Sequence, residues 1–323
     1  AGPSLRLLYV PYVPLVQKAM SRRLELPIGP ELAGIKVDTL LKRHLGLSGT
    51  VVRRIKWLED GILVDGRRVN TRYIPKAGEV LSVRLSDPER RSGIVPAPGP
   101  LDIVYEDQDL LVLNKAPGVT VHPGPGHFDD TIGNFLLNYY DQEGEEGDFH
   151  PVHRLDRGTS GLLVVARHPH AQEVLKRQLH TPDFQRTYLA VCVGTPAPPS
   201  GTIDAPLGPC EGSLVEQTVR PDGKHACTHY ETLRQNGPFA LLRLQLETGR
   251  THQIRVHMSY LGHPLVGDFL YGTESSLISR PALHSARLAF LHPITGIRLE
   301  FTQPLPQDMR RLLVSHSAES TQR

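Results

Sequence analysis

Hydrophobic residues change their spacing along this chain, and each change marks a structural part. Across residues 32–47, Ile35, Leu40, Leu41 and Leu45 recur at roughly helical intervals, with the cations Lys36, Lys42 and Arg43 among them. A second helical stretch, residues 50–58, carries Arg53, Arg54 and Lys56. In residues 62–70 (ILVDGRRVN), Asp65-Gly66 separates two β-prone runs and predicts a hairpin, and residues 80–85 predict a further strand. Periodicity disappears in residues 87–100 (DPERRSGIVPAPGP), whose Pro, Gly and charge predict a linker that leaves its flanking parts free to move.

Beyond the linker, strands dominate. A hairpin is expected from residues 103–105 and 110–114, a helix capped by Asp130 over 130–140, and another helix over 169–179. Apolar residues 162–166 predict a buried strand, and further strands are expected at 186–193, 226–233 and 241–246. Residues 251–261 predict a helix capped by Thr251, on which Ile254, Met258 and Leu261 form an apolar stripe beside Arg255. Consecutive strands without regular intervening helices predict an α+β domain with a mixed, mainly antiparallel sheet flanked by helices and loops. The tract 141–148 (DQEGEEGD) reads as an exposed acidic loop with no assigned function.

A chain of 323 residues exceeds one small core, so about two domains are expected. Its 39% hydrophobic and 22% charged residues describe a globular rather than a disordered protein. No apolar run approaches the ~20 residues that a spanning helix needs, so no membrane partner is expected. Residues 7–16 are apolar, but Pro11 and Pro14 interrupt them and make a poor signal peptide; residues 1–21 match no module, and Met20-Ser21 offers a natural start. Cys192, Cys210 and Cys227 form no C-x-x-C pair, which argues against a disulfide frame or zinc ribbon and fits a reducing cytoplasm. The net charge of +2 conceals an asymmetry: residues 22–91 hold 15 Lys/Arg against 9 Asp/Glu, and residues 92–323 hold 19 against 25. A basic front part suits a polyanion.

Candidate chemistry concentrates in HRLDRGTSG, residues 153–161, where Asp156 stands between Arg154 and Arg157 at the mouth of the strand expected at 162–166. Gly158 and Gly161 follow where the backbone must turn. A carboxylate at a strand edge, near cations and an apolar floor, stays ionised while partly stripped of water and suits a nucleophile or base. The alternative is an Asp that caps a turn. Residues 158–161 are not the G-x-S-x-G elbow, and no second carboxylate shares the motif, which weighs against an esterase or a glycosidase. His225, Cys227 and His229 share one strand face without further partners at ligand spacing, and HPGPG at 122–126 lacks the Lys-Ser/Thr of a P-loop. Neither a metal nor a nucleotide cofactor is therefore expected.

Residues 153–167 (HRLDRGTSGLLVVAR) resemble the signature segment of the RluA/RluD-type pseudouridine synthases. Further blocks agree with that family in the same order: VYEDQDLLVLNKAPGVTVHPG (104–124), RTYLAVCVG (186–194), TGRTHQIRVHMSYLGHPLVGD (248–268) and ALHSARLAFLHPITG (282–296). The resemblance implies a cofactor-free RNA isomerase in which Asp156 is catalytic, Arg255 pairs with it, Tyr188 lies against the target base, and Arg154 fills the space left by a flipped nucleotide. His153, Lys115, Arg250 and His252 belong to the matching blocks and are expected to shape the pocket or touch RNA. From the residues alone, Arg255 is also open to pairing with a structural acid, and Tyr188 to a core position. This chain departs from many relatives at Arg157-Gly158, where they have Lys-Asp, and at Ala116-Pro117 in the Asn-Lys-Pro segment.

Residues 22–86 resemble the small α/β RNA-binding domain named after ribosomal protein S-four, with Arg53, Arg54 and Lys56 as the expected phosphate contacts. Here Ser48-Gly49-Thr50 replaces the Ser-Arg that opens the second helix in many members. The expected order is an unassigned segment 1–21, the RNA-binding domain 22–86, the linker 87–100, the catalytic domain 101–315 and a tail 316–323. The expected activity is isomerisation of specific uridines in structured RNA, large-subunit ribosomal RNA before transfer RNA, by a cytoplasmic monomer. A non-catalytic RNA-binding protein is the alternative.

Overall fold

Two sheets, each with its own apolar core, organise the chain in the computed structural model, which describes residues 21–213 and 215–314. The start read at Met20 and the tail at 316–323 lie outside the described residues. The front sheet is antiparallel, in the order β1 (Arg23–Pro27), β4 (Val80–Arg84), β2 (Ile62–Val64), β3 (Arg67–Arg68). Asp65 and Gly66 both take positive φ, as the hairpin turn between β2 and β3 demands. The helix expected over 32–47 is shorter than its apolar spacing suggested, because Gly34 turns at φ 85° and leaves only α1 (Val37–Thr39) running into a π-turn, Leu40–His44. Ser48 then caps α2 (Gly49–Ile55) by accepting from the Val51 amide, which explains the Ser at that position. Val37, Leu40, Leu41, Val51 and Ile55 bury themselves against Ile62, Leu81 and Val83.

The larger sheet is mixed and mainly antiparallel, as expected. Its order is β10 (Ser200–Asp204), β13 (Cys227–Asn236), β14 (Phe239–Leu246), β9 (Gln185–Val193), β15 (Leu283–Leu291), β8 (Ser160–Ala166), β6 (Leu110–Lys115) and β5 (Ile103–Glu106). Short strands β7 (His150–Pro151) and β16 (Arg298–Thr302) pair with β8 and β15, and β11 (Leu207–Pro209) pairs with β12 (Gln217–Val219) apart from the main sheet. Only β8 and β15 run parallel. Every residue of β8 is buried, because alternate side chains enter different cores. Leu163 and Val165 pack with Leu136 and Leu137 of α3 (Ile132–Glu143) and with Ile254 and Met258 of α5 (Gln253–Tyr260), whereas Leu162 and Val164 pack with Leu175 of α4 (Pro169–Gln178) and Phe290. A last short helix, α6 (Gln307–Arg311), adds Met309 to a smaller cluster. Among the described residues no helix is long and apolar enough to cross a membrane.

Thr131, rather than Asp130, caps α3: its hydroxyl accepts from the Asn134 amide while the Asn134 side-chain oxygen accepts from the Thr131 amide. Asp130 pairs instead with His127, at 2.7 Å.

The linker is not loose. Arg90 reaches Asp141 at 2.7 Å and the Leu137 and Gly147 carbonyls, while Asp148 accepts from the Arg91 and Ser92 amides, both at 2.8 Å. Glu146 takes Arg84 and Ser86, so the acidic tract without an assigned role clamps the linker and the front sheet. Two more ties cross the same seam: Arg22 grips Asp109 through two hydrogen bonds of 2.8 and 3.1 Å, and Asp87 links Arg54 at 2.5 Å to His150 at 2.6 Å. Charges that sequence spacing left apart thus meet across the fold and tie the two parts together.

Candidate active site

The turn that feeds β8 carries Asp156 into a cavity of about 560 Å³, walled by β9 and by the loop ahead of α5. Gly161 makes the approach possible: at φ 107°, its missing Cβ would lie 2.2 Å from the Ser285 carbonyl oxygen of the parallel strand β15. The turn closes through its backbone, with the Thr159 amide donating to the Asp156 carbonyl. The Asp156 carboxylate is therefore no cap. Among the described residues it accepts no hydrogen bond, it is 24% exposed, and its nearest cation is Arg255 Nη1 at 4.0 Å.

Arg255 itself is fastened elsewhere. Its Nε and Nη2 donate to the Asp268 carboxylate at 2.7 and 2.8 Å, a bidentate pair with Asp268 fully buried. The Leu270 and Tyr271 amides donate to the same carboxylate, and the guanidinium carbon lies 5.0 Å from the centre of the Tyr271 ring. Burial opposes the charge on Arg255, but the bonds and charge of Asp268 outweigh it and raise its pKa. The sequence thus found the cation and missed the acid that orients it. Asp268 does close the block 248–268, which was the available signal.

The cap expected for α5 is also different. Thr251 does not cap the helix; His252 occupies that position at φ 55°, and its Nδ1 lies 2.8 Å from the Tyr271 hydroxyl. Gln253 compensates locally, accepting from the Arg250 amide at 2.9 Å and the Thr248 hydroxyl at 2.8 Å. A non-glycine residue in this strained region is a feature of functional loops. The Thr251 hydroxyl instead accepts from Arg154, at 3.2 Å.

Tyr188 sits both in the core and at the cavity wall. On β9 it belongs to the main apolar core, yet it also lines the cavity, and burial raises its pKa so that the phenol stays protonated. Arg154, Arg250 and His252 line the cavity too; Arg250 is steadied by the His225 carbonyl at 2.9 Å. His153 lines it as a neutral ring, because burial, with Arg186 nearby, lowers its pKa to about 3 while Nε2 accepts from the Val164 amide at 3.3 Å.

Lys115, expected to shape the pocket or touch RNA, and Arg54, expected to contact phosphate, are both engaged within the protein. Lys115 is 1% exposed, and its ammonium donates to the carbonyls of Ala116 and Val119 at 2.8 Å and of Arg157 at 3.2 Å. Those bonds tie the 116–119 loop to the turn that carries Asp156, an arrangement completed by the Gly118 amide on the Arg157 carbonyl at 2.7 Å. Burial drives the Lys115 pKa down to about 7, against the pull of Asp156. Arg54 is engaged by Asp87, whereas Arg53 bonds only Thr50 and Lys56 lies over the Trp57 ring at 4.8 Å.

Away from the cavity, the Cys227, His229 and Glu247 ligand atoms lie within 4.8 Å of one another, so the structure supplies a carboxylate that the sequence reading lacked. His229 bonds that carboxylate at 2.7 Å, and His225 turns to Asp204 at 3.1 Å.

The cavity's charge is lopsided. Arg154, Lys176, Arg186, Arg250 and Arg255 line it, and Asp156 is the only acid among the described lining residues. A space of this size and charge suits an anionic ligand, set beside a carboxylate that has no hydrogen-bond partner among the described residues.

Comparison with known proteins agrees with this chemistry. The family described as RNA pseudouridylate synthase matches residues 109–260. The chain is 43% identical over 270 residues to an uncharacterized RNA pseudouridine synthase, YjbO, of Bacillus subtilis, covering 84% of this chain and 95% of that protein. It is 40% identical to ribosomal large subunit pseudouridine synthase D of Yersinia pestis, over 83% of this chain and 87% of the other. Among solved structures, human RNA pseudouridylate synthase domain containing 1 superposes with a TM-score of 0.54 at 29% identity, covering 64% of this chain and 85% of that one. With its mixed sheet and its lone cavity acid beside an arginine, the chain belongs to the RluA/RluD-type RNA pseudouridine synthases, isomerases that act on RNA.

Proposed function

We propose that Asp156 performs the isomerisation, acting at the ribose of a uridine that has swung out of its helix, and that the substrate is large-subunit ribosomal RNA. The supporting observation is the carboxylate itself: among the described residues it is the cavity's only lining acid, free of hydrogen bonds and 4.0 Å from a locked guanidinium. Forming pseudouridine breaks the bond between C1′ and N1, turns the uracil and joins C1′ to C5; the proton leaves C5, N1 gains one, and no atoms are added or lost. Asp156 acts as nucleophile at C1′ or as base toward a ribose proton, and Tyr188 stacks on the uracil that the pocket must retain between the two bonds. Extruding the base costs a few kcal/mol of stacking and pairing. Arg154, exposed at the mouth, replaces the lost stack, and Arg250 and His252 steady the backbone beside it.

The ribosomal target rests on relatives named ribosomal large subunit pseudouridine synthase D, with transfer RNA as the second reading. The front domain adds a capture surface, in which Arg53, Lys56 and the 76% exposed Trp57 meet RNA near the end of α2, in a cytoplasmic monomer. Asp156→Asn is expected to abolish pseudouridine formation in a uridine-containing RNA while RNA affinity stays within about tenfold. Turnover by that variant would remove Asp156 from its role. Trp57 is the chain's single tryptophan, so its fluorescence should respond to RNA; a silent signal would move the capture surface elsewhere.

A further inference from the structure

Arg84, Arg186, Arg255 and Arg280 are the buried arginines of the described chain. Three of them meet carboxylates: Arg84 pairs with Asp60 and Glu146, Arg255 with Asp268, and Arg280 with Asp308. Arg186 is the exception. Only 7% exposed, its side chain makes no ion pair or hydrogen bond among the described residues, and its Nε is fully enclosed without an acceptor. A buried cation in that state is costly to the free protein, and such groups persist where a ligand supplies the missing partner.

Its surroundings say which partner. Arg186 stands two residues before Tyr188 on β9, so both project from one face, and both line the catalytic cavity. Gly249 leaves room for the guanidinium, since a Cβ there would lie 2.9 Å from Nη1. The neighbouring His153, whose Nε2 accepts, has its Nδ1 enclosed without a partner, so this wall lacks acceptors. Toward the last turn of α4 the same cavity is lined by Lys176 and His180, and His122 also faces it. Burial, and after it the charges of Arg154 and Lys176, lower the His122 pKa.

We propose that Arg186 and Lys176 form a phosphate subsite of the cavity: Arg186 takes the phosphodiester of the nucleotide being isomerised, and Lys176 takes the next phosphate along the strand. The subsite rests on the RNA synthase reading and adds a positioning role that the catalytic trio does not supply. Arg186 fixes the backbone so that the sugar presents itself to Asp156.

The test is binding of a fluorescein-labelled RNA stem-loop with uridines in its loop, measured against salt concentration in the full chain carrying Asp156→Asn, so that no turnover intervenes. Adding Arg186→Gln should weaken binding about 10- to 100-fold and reduce the slope of log affinity against log salt by roughly 0.7–0.9. Arg186→Lys should restore the slope, and Lys176→Gln should reduce it by a similar step with a smaller loss of affinity. Because the free protein holds Arg186 uncompensated, its thermal midpoint should stay level or rise in Arg186→Gln, where a structural arginine would lower it. An unchanged salt slope in both Gln variants overturns the subsite. So does unchanged affinity with a lower kcat in Arg186→Gln without the Asp156 change, which would put the guanidinium on the uracil. RNA binding by the parent chain without pseudouridine formation would instead break the synthase reading and leave the slopes interpretable.

Discussion

The seam between the two sheets and the catalytic cavity are both rich in arginine, and they treat it in opposite ways. Along the seam Arg22, Arg54, Arg84 and Arg90 each meet a carboxylate, from Asp109, Asp87, Glu146 and Asp141. In the cavity, five Lys/Arg face a space with one lining acid, and of the buried cations only Arg255 is matched closely, by Asp268. Matched charges fasten one part of the protein to another, since each group satisfies its neighbour and little field remains for a ligand. Unmatched ones cost stability in the free state and would recover it if phosphate arrived, as the proposed subsite requires. The same residue type therefore ties two sheets together in one place and, in the proposed reading, takes substrate phosphate in another, and the local supply of carboxylate decides which.

The sharpest way to break that contrast is to unmatch a cavity cation. Asp268→Asn leaves Arg255 buried with a neutral partner and should cost about 3–5 kcal/mol of stability, with at least a hundredfold loss of turnover. Urea unfolding and pseudouridine yield would read the two effects, and a stable, active variant would remove Asp268 from the site's support. Lys115→Met tests the cation matched by carbonyls rather than by acids. Leaving those acceptors buried without a donor should cost about 1–3 kcal/mol and displace the catalytic turn, lowering kcat at least tenfold. An unchanged kcat would show that the turn holds without it.

A pH effect follows for His153. Its folded pKa of about 3 lies below the ordinary 6.5, so the neutral ring contributes stability above about pH 6.5 that is lost as pH falls toward 3. Between pH 6.5 and 5 the loss is at most about 2 kcal/mol. Thermal melts should show the wild type losing more than His153→Asn over that interval, and parallel losses would argue against a neutral His153. The smallest effect belongs to the seam: Arg54→Met leaves Asp87 to His150 and should cost about 1 kcal/mol. Proteolysis within residues 87–100 should quicken several-fold, and an unchanged rate would mean that this tie does not hold the linker.

Much of this was legible before any coordinates. The Asp65-Gly66 hairpin, the buried strand after HRLDRGTSG and the mixed sheet follow from local periodicity and turn chemistry, which act over a few residues. The helix caps were less legible, because Asp130 and Thr131 are adjacent and both can cap; only the reciprocal bond from Asn134 separates them. The site residues divided in the same way. Asp156, Tyr188 and Arg255 were drawn from blocks far apart in sequence, and the cavity gathers all three, whereas Lys115 sits in an equally strong block and points beneath the turn.

The amino-acid sequence by itself determined most of the elements, the family and the candidate carboxylate Asp156, because spacing and residue type are properties of short segments. It was silent on which charges are matched. Asp268 with Arg255, the acidic tract with the linker, and the solitude of Arg186 arise between different elements of the fold, and electrostatic energy depends on separation and burial in space. Those only the tertiary structure decides.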